Sequence, residues 1–151
     1  MIRNKRGLLF VLIAVAAVTF IACDDDSEPV PLEELSCKVE GVKWNATKSL
    51  TAEMNNGVVI LTGVNNNNDT LRLLIQDHEP GIHPVKNIQN IIVYKSQDIT
   101  YLPLNSAEAS LIVVDHDVVA KYIWGGFFYT GISGTGDRVE ISDGVFRFFY
   151  K

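Results

Sequence analysis

The chain has 151 residues, with 13 Lys and Arg against 18 Asp and Glu, three His and two Cys. A net charge of −5 offers no electrostatic footprint for nucleic acid and no polybasic patch for anionic lipid. Two cysteines cannot build a disulfide framework, and the length suits one domain.

The first predicted element is an export signal. Arg3, Lys5 and Arg6 precede an uncharged, largely apolar run over residues 7–22, which ends at Cys23. A basic start, an apolar stretch and a small residue before the cut form the pattern of a secretory signal. A membrane span needs about 20 apolar residues, and residues 7–23 fall short of that. Phe20-Ile21-Ala22-Cys23 resembles the lipobox of bacterial lipoproteins. That resemblance implies a diacylglyceryl group on the Cys23 thiol and cleavage just before it. More than one acyl chain is needed for stable anchoring, and a triacylated Cys23 would meet that need.

Asp24, Asp25 and Asp26 follow directly. An acidic residue after the lipidated cysteine resembles an inner-membrane retention signal in some Gram-negative bacteria. In another lineage an acidic cluster there resembles an export signal to the outer face of the outer membrane. It can equally be a solvated, self-repelling tether. Without residues 1–22 the chain carries 10 basic and 18 acidic groups, six of the acids between Asp24 and Glu34. The expected organisation is a signal peptide over 1–22, a lipidated acidic tether over 23–35 and one domain over 36–151.

Within that domain the apolar period is two, the mark of strands. Cys37 and Val39 alternate with Lys38 and Glu40; Val42, Trp44 and Ala46 alternate with Lys43, Asn45 and Thr47. Asn56-Gly57 is a strong hairpin signal, because both residues tolerate positive φ, and joins strands over 50–55 and 58–63. Residues 65–69 form a polar loop before a strand over 71–76. Glu79-Pro80-Gly81 is a turn, and His83-Pro84 demands extended backbone. Short strands follow over 91–95, 100–102 and 110–114, with room for one helical turn over 104–109. Asp115-His116-Asp117 reads as a hairpin loop before a strand over 118–130. Gly125 and Gly126 within it signal a bulge or a close backbone approach. Residues 131–136 form a Gly-rich hairpin loop, Asp143-Gly144 a second two-residue turn, and 145–150 a final aromatic strand. This pattern predicts an all-β domain, an antiparallel meander closing into a β-sandwich or a partly open barrel.

Catalytic and metal-binding patterns are scarce. Neighbours on a strand point to opposite faces, so the acids beside His78 and His116 do not chelate with them. His78 and His83 can converge across the Pro80-Gly81 turn as a metal pair or a general base, or serve as ordinary loop residues. No nucleophile elbow, Walker loop, Cys-x-x-Cys pair or His-Glu-x-x-His occurs. Cys37 reads as a small buried hydrophobe, since its nearest histidine in sequence is His78. Asp69-Thr70-Leu71 reads as a strand start and resembles a bacterial O-glycosylation acceptor. No cofactor and no metal are expected.

Val39-Glu40-Gly41-Val42-Lys43-Trp44-Asn45-Ala46 resembles the Val-x-Gly-x-x-Trp-x-Ala opening of a domain-of-unknown-function family of small bacterial lipoproteins. Residues 123–128 and Val139-Glu140-Ile141-Ser142-Asp143-Gly144-Val145-Phe146 resemble its Ile-x-Gly-x-Phe-x-Phe and Val-x-Ile-x-Asp-Gly-x-Phe close. The resemblance implies an exported β-rich lipoprotein, favours the surface-export meaning of Asp24–Asp26, and implies no activity. The expected function is a non-catalytic binding module at the outer membrane surface, held by its lipid anchor and taking a small ligand, a glycan or a protein. Trp44, Trp124, Phe128 and Tyr129 are its candidate ligand surface. An envelope assembly component, or a hydrolase using His78 or His83, are the alternatives.

Overall fold

The computed structural model describes residues 32–85, 90–103 and 109–151. Cys23, Asp24, Asp25, Asp26 and the boundary at residue 22 lie outside the described residues, as does most of the 104–109 segment. The domain is all-β and antiparallel, a curled sheet forming a half-barrel. Its strands are β1 (Glu34–Val39), β2 (Val42–Asn45), β3 (Ser49–Asn55), β4 (Val58–Val64), β5 (Thr70–Ile75), β6 (Gly81–Pro84), β7 (Ile91–Ser96), β8 (Ile99–Pro103), β9 (Ser110–Asp117), β10 (Tyr122–Ile132) and β11 (Arg138–Phe149).

The sheet runs β2-β1-β11-β10-β8-β7-β5-β4-β3, and it branches at β10. The first part of β10 pairs with β9, and its last two residues pair with Leu102 and Pro103 of β8. The expected meander is broken at three places: β1 lies beside β11, β10 beside β8 and β5 beside β7, with β6 leaving the run to pair with β9. Asn56 and Gly57 take φ of +50° and +78°, the two positive values that a type I′ turn requires, so β3 and β4 meet as expected. Asn65 Oδ1 accepts from the N–H groups of Asn67 and Asp69 at 2.9 Å each, which folds the 65–69 loop on itself. Thr70 opens β5, with Asp69 buried behind it.

Two expected turns are not turns. Asp115, His116 and Asp117 belong to β9, and the hairpin reverses over residues 118–121. Asp117 is what makes that reversal, since its Oδ1 accepts from Val119 N–H at 2.8 Å and Ala120 N–H at 2.9 Å. Asp143-Gly144 lies inside β11 as a bulge. On one side Ile141 faces Tyr129 and Gly144 faces Phe127; on the other Ser142 faces Lys38 and Val145 faces Ser36. Both neighbours count one extra residue in β11. Asp143 adopts φ of +49°, a left-handed conformation that Asp tolerates better than most residues.

The bulge sets the core. Before it the odd residues Val139 and Ile141 point inward; after it the even residues Phe146, Phe148 and Tyr150 do. They pack with Leu35, Leu61, Leu71, Leu73, Ile92, Leu111 and Ile123, among others. β10 keeps a single phase, with Ile123, Gly125, Phe127, Tyr129 and Gly131 all inward.

Candidate functional site

The outer face of β10 carries Tyr122, Trp124, Gly126, Phe128 and Thr130, an aromatic stripe broken at its centre by glycine. Cross-strand register gives each position its neighbours. Tyr122 pairs with Phe149 and Trp124 with Arg147; Gly126 lies between Ile112 of β9 and Val145 of β11. Ile82 of β6 extends that last row beyond Ile112. Gly126 thus forms the floor of an apolar notch walled by Trp124, Phe128, Ile112 and Val145.

Gly125 cannot take its place as the notch. It points inward, where an added Cβ would lie 1.9 Å from the Ile112 carbonyl oxygen and 2.7 Å from the Phe146 ring. Gly126 points outward, where an added Cβ would lie 3.0 Å from the Gly144 carbonyl oxygen. Both glycines therefore mark a close backbone approach, and Gly126 alone leaves the outer stripe without a side chain at its centre. β9 is also bulged here, since Trp124 faces Asp115 while Gly125 faces Val113.

Phe128 is 42% exposed and stands over the β11 bulge. There it walls a shallow groove of about 590 Å³ with Thr130, Glu140, Ser142 and Asp143. Lys38 Nζ bridges to Asp143 at 2.7 Å, both side chains more than half exposed, so the pair orients the rim more than it stabilises the fold. At the other side of the notch the Arg147 guanidinium lies 5.9 Å from the Trp124 ring centroid. An apolar floor between an aromatic wall and a rim of hydroxyls, carboxylates and a guanidinium suits a ligand with both apolar and hydrogen-bonding faces.

Of the four residues expected to form the ligand surface, the fold brings two together. Trp124 and Phe128 flank the notch. Trp44 is only 5% exposed and Tyr129 only 1%, so both leave the surface and join the core. Trp44 fits because Gly63 of β4 has no side chain: a Cβ there would lie 2.6 Å from Ala46 and 3.3 Å from the Trp44 ring. Ile112, Val145, Arg147 and Ile82 were not expected at the site. They reach it through register alone, and no local pattern in the sequence marks them.

His78 and His83 do not converge as a pair. The His83 Nε2 lies 2.7 Å from the Glu79 carbonyl oxygen, while the His78 ring meets His116 edge-on, with centroids 4.6 Å apart. His116 Nε2 in turn hydrogen-bonds the Tyr150 hydroxyl at 2.7 Å. Among the described residues no group of three or more His, Cys, Asp or Glu converges to hold a metal. Burial pushes the Cys37 thiol up to about 12, which leaves no thiolate for nucleophilic attack near neutral pH.

His116 gives the fold a pH dependence. Burial, and then the neighbouring His78, hold His116 below its ordinary value, with Glu79 and Asp115 partly offsetting them. A histidine depressed in the fold contributes stability fully present above its unfolded value, about 6.5. That contribution is lost as pH falls through the folded value. The urea midpoint is therefore expected to drop as pH falls below about 6.5, before the carboxylates titrate. His116→Gln should flatten that drop; an unchanged slope in the variant would refute the assignment.

These features define a small antiparallel half-barrel with an apolar, polar-rimmed outer face. DUF6252, a family of domains of unknown function, matches residues 34–148, and the chain belongs to that family. Neither the curated proteins nor the solved structures contain a match.

Proposed function

We propose that this chain is a non-catalytic binding module tethered to the bacterial outer membrane through a lipid on Cys23. The Gly126 notch between Trp124 and Phe128 carries the binding half of that reading. An exposed Phe128 and Ile82 beside half-buried Trp124, Ile112 and Val145 are the features of an interaction site rather than of a solvated face. The basic, apolar and Ala22-Cys23 pattern of the first 23 residues supports the tether, and Asp24, Asp25 and Asp26 support display at the cell surface.

The reading is tested on intact cells. Radiolabelled palmitate should enter the wild-type protein and not Cys23→Ala, and external protease should remove the domain. Glycan arrays and in-cell crosslinking then identify the ligand. Phe128→Ala and Trp124→Ala should each weaken its binding by about 2 kcal/mol, roughly 30-fold in Kd. Variants that fold normally and bind as tightly as wild type would refute the notch as the site.

A further inference from the structure

The end of the sheet at which the chain enters β1 is also the end at which the β9–β10 hairpin turns. Glu34 lies opposite Arg147, and Arg147 opposite Trp124, so β1 and β10 begin at one level on either side of β11. Just beyond, Phe149 N–H donates to Glu33 Oε1 at 3.3 Å, and Tyr150 N–H donates to the Lys121 carbonyl at 2.9 Å. Leu32 and the 118–121 turn therefore project past the same end.

Among the described residues, Val119 at 92% and Leu32 at 85% are the most exposed large hydrophobic side chains, and Val118 is 65% exposed. Single exposed valines are ordinary, but here Val118, Val119 and Leu32 all lie at the one end of the sheet where the chain leaves toward residue 23. The turn is also held in shape, because Asp117 caps the backbone N–H groups of Val119 and Ala120.

We infer that the Val118–Val119 tip is a second, non-covalent contact between the domain and the bilayer, an inference that rests on the proposed anchor at Cys23. Cys23 stands nine residues before Leu32, so the extended chain between them spans at most about 30 Å. A tether that short keeps the tip at high effective concentration near the membrane, where a weak apolar contact suffices. The neighbouring charges, Glu33, Asp115 and Asp117 against Lys121, disfavour anionic headgroups. The contact is therefore with the apolar boundary of the bilayer and not with its anionic headgroups.

The test uses the full-length acylated protein in phosphatidylcholine vesicles. An environment-sensitive fluorophore is placed through Val119→Cys, and for comparison through Gly134→Cys in the β10–β11 turn at the opposite end. Cys37 is buried and the Cys23 sulfur is acylated, so only the introduced thiol reacts. The probe at 119 should shift to the blue and be quenched by nitroxide-bearing lipids several times more strongly than the probe at 134. Equal quenching at the two positions, in protein that floats with the vesicles, overturns the docking and leaves the anchor standing. Protein that does not float overturns the anchor and the docking with it.

Discussion

Deletion of Asp143 is expected to abolish cooperative folding. Without the extra residue β11 keeps one phase throughout, and half of its inward residues must turn outward. If the C-terminal half turns, Phe146 and Phe148, both 0% exposed, leave the core. Removing a buried Phe costs about 3–5 kcal/mol, so two approach the whole of an ordinary domain's stability of about 5–15 kcal/mol. If the N-terminal half turns, Val139 and Ile141 are exposed and the Glu140 carboxylate is driven inward unpaired. That costs several kcal/mol for the charge alone. Asp143→Asn keeps a residue that tolerates positive φ and should stay within about 1 kcal/mol of wild type. Urea unfolding with circular dichroism reads both; a deletion variant with the wild-type midpoint would show that the bulge is dispensable.

Gly125→Ala is the second large effect. The added Cβ would meet the Ile112 carbonyl oxygen, which is backbone and cannot rotate away, as well as the Phe146 ring. Ordinary overpacking costs about 1–3 kcal/mol. Here the backbone must move too, so the loss is expected at about 3 kcal/mol or more. β9 must peel from β10 and take β6 with it, because among the described residues β6 pairs only with β9. Amide exchange should accelerate in β9 and β6 before the rest of the sheet. Gly134→Ala, which meets nothing within 4 Å, should stay within about 0.5 kcal/mol. Equal destabilisation by the two would sink the argument.

Much of this architecture could be read along the chain, and the failures are specific. Asn56-Gly57 announced its hairpin because the turn chemistry is local to two residues. Asp143-Gly144 carries the same kind of dipeptide and is a bulge. A turn and a bulge both need positive φ, and only the ladders to β1 and β10 on either side distinguish them. Asp115–Asp117 looked like a polar loop, yet the reversal falls on the apolar residues after it, because Asp117 caps a turn it does not itself occupy. Trp44 and Tyr129 share their composition with any aromatic platform. Gly63, distant in sequence, opened room for Trp44 in the core, while Tyr129 kept the inward phase of β10.

The sequence by itself determined the all-β class and most strand positions, since period-two alternation is a local property of the chain, and the family match over residues 34–148 is likewise a property of sequence. It also carries the grounds for expecting the lipid anchor and the acidic tether. Tertiary structure alone decided which aromatics are buried, that His78 meets His116, and that Gly126 opens a notch. Those outcomes depend on which strand lies beside which and in what register, and a one-residue slip between neighbours exchanges the inside of a sheet for its outside.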